Sequence, residues 1–449
     1  DGSCEYFEGE ISGEPPSQIW EFYGPGEDII HGYLYHEGEF EYQKSCTNVE
    51  NGNILCGYTL YKYYCWVDCS EFEEFDLVPD NDKNDNYTLI TVMVKIDQNG
   101  ELIWRRFYNE HSDSKFIDVE FIDDSYYISM NNNLQSGTEH TVMKLGLNAE
   151  FYWINTYDPY PELGDYPKIW ETLVNDDDHL ITFGHRPNEI GKHKPYVSTI
   201  DSDGNELQSY TLDIFPGNNA YIRDAVLNED RNYMAYGYVT NLDNTDLDYH
   251  LLVEFDQSGD YIRHFTIPFD NNQWFNVLGI SQMQNGNYVL TGKYSNWGFI
   301  IIVDENGNYI SQAIDNIDFD IGTQGSSEFR QSVLTIDNKL LIVGSQFDAI
   351  FGNQGLILKY DQSLNLEWKK TIGQLPGDDN YIEDIIFTSQ NHIIAFGSGR
   401  NYFSPFDEFS VHQFHYEDGC MDPLGCNYNP YASNDNGTCY YEDICDVCD

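Results

Sequence analysis

Apolar residues recur along the chain in short runs, and the same grouping of runs returns seven times. The clearest run is an aliphatic segment that ends in an acidic turn, as in VMVKIDQNGELIW (92–104) and FIIIVDENGNYISQ (299–312). The position that opens this turn is held by Asp97, Gly146, Asp201, Asp256, Asp304, Asp361 and Glu417, and successive positions lie 48 to 57 residues apart. A period of this size indicates a solenoid, a propeller or an array.

Each repeat contains four runs that predict short strands. A second run precedes the one that ends in the acidic turn. It ends near a glycine in six repeats, at Gly57, Gly184, Gly237, Gly292, Gly344 and Gly397, and the second repeat lacks this glycine. A third run precedes that one, and a fourth follows the turn. The runs are rich in Ile, Val, Tyr, Phe and Trp and are separated by turn clusters, and no window shows a helical period. Four antiparallel strands per repeat are typical of a β-propeller blade.

The two ends of the repeat region complement each other. Residues 18–23 (QIWEFY) resemble a fourth strand with no third strand before it, and residues 411–419 resemble a third strand with no fourth after it. Joining them would leave no long open edge. The sequence therefore predicts an all-β fold over residues 18–419: a seven-bladed β-propeller of four-stranded antiparallel blades, closed by the N-terminal strand, with a Cys-containing insert at 61–88 in the first blade.

The recurring turns have a simple chemical explanation. Four of them read D-x-x-G, for example 201–204 and 304–307, and suit tight hairpins in which Gly or Asn takes a positive φ. We interpret the recurring Asp as a requirement of the hairpin rather than as a metal ligand. The run Asp176, Asp177 and Asp178 receives the same interpretation.

The net charge narrows the range of partners. The chain has 22 Lys and Arg against 76 Asp and Glu, a formal charge of −54. It offers no basic surface for nucleic-acid phosphates and is unsuited to an anionic membrane, and no apolar run is long enough for a transmembrane helix. The charge is compatible with a saline habitat, with bound Ca²⁺, or with both.

The ten cysteines indicate an oxidising, extracellular compartment. Cys46 and Cys56 lie on two arms of a predicted hairpin, and Cys65 and Cys69 are spaced to close a small loop. Disulfides are favoured over zinc because the C-x-x-C pair near the C-terminus has no His partner and no second pair. The disulfide candidates are Cys4, Cys46, Cys56, Cys65, Cys69, Cys420, Cys426, Cys439, Cys445 and Cys448.

The C-terminal segment 420–449 carries a specific pattern, C-x-D-P-x-x-C-N-Y-N-P-x-A followed by N-G-T-C-x-Y, which begins at Cys420 and ends at Tyr441. DGSCEY at 1–6 aligns with NGTCYY at 436–441, so residues 1–17 are predicted to be the tail of a preceding Cys-rich module with its linker. The 420–449 module is then incomplete at its C-terminal end. Both this pattern and the propeller repeat resemble segments of very large surface proteins of marine Bacteroidota. The resemblance implies export by type IX secretion and a role in gliding, attachment or prey capture.

Calcium is the cofactor we consider. Asp422, Asn427, Asn429, Asn434 and Asp435 offer oxygen ligands in the Cys-rich module, although such residues also cap their own turns. Asp80, Asp82, Asn84 and Asp85 resemble the first half of a calcium loop, but the glycine and the distal Glu are missing, which favours a solvated acidic loop. Asp118, Asp224 and Asp384 lie on the strand predicted to be innermost, where they would line a channel and either bind a cation or stay hydrated.

No catalytic motif appears: the chain has no G-x-S-x-G, H-E-x-x-H, Walker loop or dinucleotide fingerprint, so we expect no enzyme. GHRPNEIGKHK (184–194) is the one locally basic stretch. It suits either a binding loop for an anionic group or ordinary positive relief on an acidic surface, and the second is favoured. Asn86 and Asn436 fit the N-glycosylation sequon.

Two functions remain. The first is a non-enzymatic structural or adhesive segment of a large extracellular protein or filamentous appendage, whose partners are other copies of itself and cell-surface glycans. The alternative is a carbohydrate-binding lectin or a carbohydrate-active propeller enzyme, because propellers host sites whose residues are dispersed in sequence. Trp274 and Trp297 are the candidates for stacking on sugars, although packing between blades is the favoured role for both.

Overall fold

The computed structural model describes residues 20–23, 45–48, 54–63, 87–96, 102–108, 114–134, 137–157, 167–240, 249–267, 275–314, 325–335, 338–348, 352–372, 379–387, 392–400, 407–415, 418–419 and 434–435. All regular structure in these residues is β-strand. None of the described segments forms a helix of the length and apolarity needed to cross a bilayer.

The first half of the chain contains the strands β1 (Trp20–Tyr23), β2 (Ser45–Asn48), β3 (Ile54–Tyr63), β4 (Tyr87–Ile96), β5 (Leu102–Tyr108), β6 (Ser114–Ile122), β7 (Ser125–Leu134), β8 (Gly137–Gly146), β9 (Phe151–Tyr157), β10 (Lys168–Val174), β11 (Leu180–Pro187), β12 (His193–Ile200), β13 (Glu206–Thr211) and β14 (Ala220–Leu227). The second half contains β15 (Tyr233–Val239), β16 (Tyr249–Phe255), β17 (Tyr261–Ile267), β18 (Phe275–Gln282), β19 (Tyr288–Tyr294), β20 (Trp297–Val303), β21 (Tyr309–Ile314), β22 (Ser326–Leu334), β23 (Leu340–Asp348), β24 (Gly352–Tyr360), β25 (Leu366–Ile372), β26 (Asp379–Phe387), β27 (His392–Arg400), β28 (Asp407–His415), β29 (Asp418–Gly419) and β30 (Asn434–Asp435).

The described strands group into repeated four-stranded antiparallel sheets, as the sequence predicts. Six consecutive groups form one sheet each, namely β2–β5, β6–β9, β10–β13, β14–β17, β18–β21 and β22–β25. A further sheet has the order β1-β28-β27-β26, with Trp20 opposite Gln413 and Tyr23 opposite Ser410. The N-terminal strand therefore pairs with the last long strand of the chain. The short strands β29 and β30 pair in parallel.

The first strand of each sheet packs against the preceding sheet and contacts the first strand of that sheet. β2 contacts β6, β6 contacts β10, and the series continues through β14, β18 and β22 to β26, which in turn contacts β2. The hydrophobic core is divided accordingly into clusters between neighbouring sheets. One cluster joins Ile181 and Phe183 of the sheet β10–β13 to Ile222 and Val253 of the next sheet. Each such buried side chain stabilises the fold by about 1.5–3 kcal/mol.

The recurring glycine of the second strand has a steric cause. A Cβ on Gly237 would lie 1.7 Å from the carbonyl oxygen of Tyr221 in the adjacent first strand, and one on Gly292 would lie 2.1 Å from that of Asn276. Gly184, Gly344 and Gly397 make equally close approaches. Met130 occupies the equivalent position in β7, and nothing in the structure explains why that sheet dispenses with glycine.

The acidic turns have the predicted hairpin chemistry. Oδ1 of Asp201 accepts hydrogen bonds from the backbone N–H groups of Asp203, at 3.0 Å, and Asn205, at 2.8 Å, while Gly204 has a φ of +82°. The turns that open at Asp256, Asp304 and Asp361 repeat these bonds. Asp178 has a φ of 59°, which also makes its run of aspartates turn chemistry.

In the first sheet, β3 ends at Tyr63 and β4 begins at Tyr87, with these two residues opposite each other. The paired strands thus extend into both ends of the predicted insert at 61–88. Its remaining residues, 64–86, lie outside the described part of the chain.

Candidate functional site

A β-bulge repeats at one place in the first strand of six sheets. The register shifts by one residue in β6, β10, β14, β18, β22 and β26, immediately before the residues Asp118, Glu171, Asp224, Gly279, Gln331 and Asp384. Each of these residues lies opposite a residue of the second strand. That residue comes immediately before the recurring glycine, or before Met130 in β7. By the same register Cys46 of β2 lies opposite Cys56, next to Gly57. One structural position therefore carries an acid in four sheets.

These four acids, Asp118, Glu171, Asp224 and Asp384, form the acidic cluster. Burial raises the pKa of Asp224 to about 6 and raises the pKa of Glu171 well above its ordinary value, where the negative charges of Asp118 and Asp224 act in the same direction. Burial also raises the pKa of Asp384, with Asp118 and Asp224 as further causes. The sequence expectation that Asp118, Asp224 and Asp384 come together is consistent with these mutual effects.

Three of the four acids accept hydrogen bonds from backbone N–H groups. Oδ1 of Asp224 accepts a hydrogen bond from the N–H of Ala225 at 2.8 Å, and Oδ2 accepts one from Ile280 of the next sheet at 2.8 Å. Asp118 and Asp384 each accept a bond from the following N–H group, at 2.8 and 2.7 Å. These bonds satisfy N–H groups beside the bulge, where the ladder is interrupted. No group of three His, Cys, Asp or Glu side chains in the described segments is placed to hold a metal ion.

A second group of side chains lies where β10 and β14 begin and β11 and β15 end. This basic–aromatic cluster consists of Lys168, Trp170, His185, His193, Tyr221, Arg223 and Tyr238. Trp170 and Arg223 are the bulged residues of β10 and β14. His185 is buried and the other members are half-buried.

Three rings of the basic–aromatic cluster, those of His193, Tyr221 and Tyr238, stack in a row. The rings of His193 and Tyr221 lie 5.1 Å apart at 28°, and those of Tyr221 and Tyr238 lie 4.7 Å apart at 23°. The guanidinium carbon of Arg223 lies 5.6 Å from the Tyr238 centroid and 4.1 Å from the Trp170 centroid. Nζ of Lys168 lies 4.2 Å from the same Trp170 centroid. Two cations are therefore held against aromatic rings, an arrangement that favours them electrostatically.

His185 contacts the aromatic rings of the basic–aromatic cluster and adds no charge to it. Nε1 of Trp170 donates a hydrogen bond to Nδ1 of His185 at 3.1 Å, which requires that nitrogen to be unprotonated. Burial lowers the pKa of His185 well below its ordinary value, and the neighbouring His193, Lys168 and Arg223 lower it further. The ring is therefore neutral at neutral pH.

The basic stretch 184–194 divides into two parts. The side chain of Lys194 is fully buried, lies 2.6 Å from a carboxylate oxygen of Asp213, and donates to the carbonyls of Phe215 and Asn218. That lysine holds the following loop in place, whereas His185 and His193 join the basic–aromatic cluster. Trp170 and Arg223 could not be identified from the sequence, because a bulge that re-aims a side chain leaves no mark in a single sequence.

A third feature lies on the fourth strands, immediately after the acidic turns. Large apolar side chains there are 38–55% exposed, and we call them the apolar belt: Ile103, Phe151, Tyr152, Leu207, Tyr261, Ile262, Tyr309, Ile310 and Leu366. They lie on β5, β9, β13, β17, β21 and β25, which are edge strands of their sheets. The same feature thus recurs in six consecutive sheets.

Most of the sequence-predicted ligands lie outside the described residues. This holds for Asp80, Asp82, Asn84, Asp422, Asn427 and Asn429, for Trp274, and for both sequons at Asn86 and Asn436. Asp435 belongs to β30, opposite Gly419. Among the cysteines, Cys46 and Cys56 face each other in register, and the predicted disulfides at Cys4, Cys65, Cys69, Cys420, Cys426, Cys439, Cys445 and Cys448 lie outside. Trp297 begins β20.

Neither a protein family nor a characterised protein matches the sequence. Among solved structures, the chain is similar to a protein of unknown function from Dyadobacter fermentans, with 12% identity, 85% of this chain and 96% of that chain covered, and a TM-score of 0.46. It is also similar to a luciferin-regenerating enzyme (8% identity, 66% and 90% covered, TM-score 0.41) and to Trypanosoma rangeli sialidase (9%, 85% and 55%, 0.40). Similarities at this level carry no argument about activity.

Proposed function

We propose that the protein is a non-enzymatic structural and adhesive segment of a large extracellular surface protein or filament. The apolar belt is the observation that carries this proposal. Large apolar side chains left exposed on strand edges suit an interaction surface, and unpaired strand edges are templates for further pairing. Six edge strands that each expose apolar side chains give the molecule a repeated contact surface.

The proposed scaffold is a closed, seven-bladed β-propeller. Its support is the unbroken series of first-strand contacts from β2 to β26 and back to β2, together with the pairing of β1 with β28. Closure makes such a domain a rigid bead, because no long sheet edge is left between its first and last blades. A rigid bead with an adhesive rim suits a segment that transmits force along a chain.

The extracellular setting rests on the cysteines. Cys46 and Cys56 are opposite each other in an antiparallel pair, where Cβ atoms lie about 4.5–5.5 Å apart before any adjustment. A cross-strand disulfide there, disulfides in the Cys-rich modules and calcium bound by their Asn and Asp side chains are parts of the proposal. So is type IX export, which the sequence resemblance implies. The charge of −54 disperses single copies, so bound cations or salt would favour contacts between them.

Replacing the apolar belt tests the adhesive role. We expect the variant Ile103→Ser/Leu207→Ser/Ile310→Ser/Leu366→Ser to lose self-association in sedimentation-velocity runs at high salt and retention on surfaces coated with the full protein. The control is Gln312→Ser, which alters an exposed polar residue two positions after Ile310 on β21. Equal association of the belt variant and the control, with both folded by circular dichroism, would contradict the proposal.

A carbohydrate-binding role is the second candidate. The observation that favours it is the basic–aromatic cluster, which combines cations with aromatic side chains where β10 and β14 begin. Nothing in the adhesive proposal requires that cluster, so the two roles are tested separately.

A further inference from the structure

Arg223 is the best-prepared binding group of the basic–aromatic cluster. Its guanidinium contacts two aromatic rings, with the guanidinium carbon 4.1 Å from the centroid of Trp170 and 5.6 Å from that of Tyr238. A guanidinium uses its faces for stacking and its edges for hydrogen bonds, so aromatic packing fixes the plane of the group without consuming its donors. Most of the side-chain entropy that binding would otherwise cost is therefore already lost in the folded protein.

Within the described part of the chain, most N–H groups of Arg223 have no hydrogen-bond partner. Its side chain donates one hydrogen bond there, from Nη2 to Oη of Tyr238 at 3.3 Å. Among the described residues Arg223 forms no ion pair, although the chain has 76 acidic residues against 22 basic ones. Arg330, the bulged residue two sheets further on, instead pairs with Glu328 at 2.6 Å. A guanidinium has five N–H donors in a planar fork that matches a carboxylate.

The residues around Arg223 contribute a further positive charge and aromatic rings. Lys168 packs on the same Trp170 ring, so the cluster contains a second cation. His185 stays neutral, so it adds no third positive charge next to Lys168 and Arg223. Tyr221, Tyr238 and Trp170 are half-buried and place aromatic carbon next to Arg223, which suits the C–H groups of a sugar.

We propose that the basic–aromatic cluster binds a carboxylated sugar, with the carboxylate held by Arg223 and the sugar ring against Tyr238, Tyr221 and Trp170. The field of a chain with a net charge of −54 opposes a long polyanion, whereas a single acidic saccharide unit meets mainly the local positive charge. The ligand class is therefore a short or terminal uronic-acid-type saccharide. This site is separate from the apolar belt.

Calorimetric titration of the full chain with methyl glucuronide tests the assignment. We expect methyl glucuronide to bind, and methyl glucoside and acetate to bind at least about tenfold more weakly, because each lacks one half of the ligand. Glucose 6-sulfate distinguishes the planar carboxylate from a tetrahedral oxyanion. Tighter binding of the sulfate, or equal binding of acetate, would overturn the carboxylated-sugar assignment.

Three variants locate the site. Arg223→Gln should weaken methyl glucuronide binding by at least about tenfold, and Arg223→Lys should weaken it by about fivefold because an ammonium cannot form the two parallel bonds. The matched control is Arg231→Gln, in the turn after β14, where the arginine is exposed and paired with Asp176. Loss of binding in the control but not in the Arg223 variants, or no binding by the unmodified chain, would overturn the proposal. A belt variant that still binds the sugar separates this result from the adhesive function.

Discussion

Glu171 and Asp224 bring two carboxyl groups together across neighbouring sheets, and this is where a single residue has the clearest energetic effect. Burial is the main cause that raises the pKa of both groups, and the hydrogen bond between them raises the pKa of Glu171 further while it opposes part of the rise at Asp224. Gln331 occupies the equivalent position in the sheet β22–β25, and its Oε1 accepts the N–H of Ser332 at 2.9 Å. The fold therefore accommodates a neutral amide at this position.

Glu171→Gln should stabilise the protein at neutral pH but not in acid. Because the pKa of Glu171 is raised on folding, its favourable contribution is complete below the ordinary pKa of about 4.5 and is lost as pH rises toward the folded value. Removing the ionisable group should therefore increase the unfolding free energy at pH 7.5 and leave it nearly unchanged at pH 4. Urea unfolding at both pH values measures this. The control is Glu305→Gln on an exposed turn, and an equal gain at both pH values in Glu171→Gln would contradict the argument.

His140 is a second residue whose burial has a predictable sign. It is fully buried, neither ring nitrogen has a hydrogen-bond partner among the residues that the structure describes, and burial lowers its pKa to about 3. The contribution of the neutral ring to the free energy of unfolding is complete above pH 6.5 and is lost as pH falls toward 3. At pH 5 the loss is about 2 kcal/mol.

His140→Phe should remove this acid sensitivity. Phe keeps the ring contact with Tyr157, at 5.5 Å between centroids, and removes an unsatisfied donor. The gap in unfolding free energy between the variant and the parent should widen by about 2 kcal/mol from pH 7.5 to pH 5. Thr141→Ala, which removes a buried hydroxyl next to it, should cost the same at both pH values. Parallel pH curves for His140→Phe and the parent would show that the histidine does not titrate between the two states.

At the scale of the element, turns could be predicted from the sequence and bulges could not. The D-x-x-G turns were predictable because Asp caps its own hairpin and Gly takes the positive φ, as Asp304 and Gly307 do. The bulges that place Trp170 and Arg223 depend on how two strands pair, which a hydrophobic pattern with a period of two does not record. Asp118, Asp224 and Asp384 were predicted on the first strand, whereas Glu171, the hydrogen bonds to the backbone and the basic–aromatic cluster were not.

The close-approach glycines provide an element-scale prediction. Gly292→Ala should cost about 2–3 kcal/mol of unfolding free energy, because the new Cβ would force β19 away from the carbonyl of Asn276. Gly286→Ala in the preceding turn is the matched control. It has open space but a φ of +82°, so it should cost about 1 kcal/mol. Urea midpoints of the two variants compare the effects, and a larger loss in Gly286→Ala would contradict a steric role for the glycine at 292.

At the scale of the whole molecule, the repeat period and the complementary ends predicted how the chain begins and finishes its sheets. The N-terminal run was assigned to the last sheet because it supplied a missing fourth strand, and β1 does pair with β28. The acidic composition restricts the partners, but it has no bearing on strand order, so it carried no information about the fold. What composition could not reveal is that two of the few cations lie beside aromatic rings at one end of the central strands.

Removing β1 tests the closure of the proposed propeller. Deletion of residues 1–23 leaves the edge of β28 unpaired, and we expect the unfolding free energy to fall by about 2–4 kcal/mol through the lost backbone hydrogen bonds. The shortened chain should also aggregate more readily, since an open strand edge pairs with other chains. Deletion of residues 1–17, which retains β1, is the control and should leave thermal unfolding and sedimentation unchanged. If both deletions behave alike, the N-terminal strand contributes nothing to closure, and the rigid closed bead of the adhesive proposal loses its support.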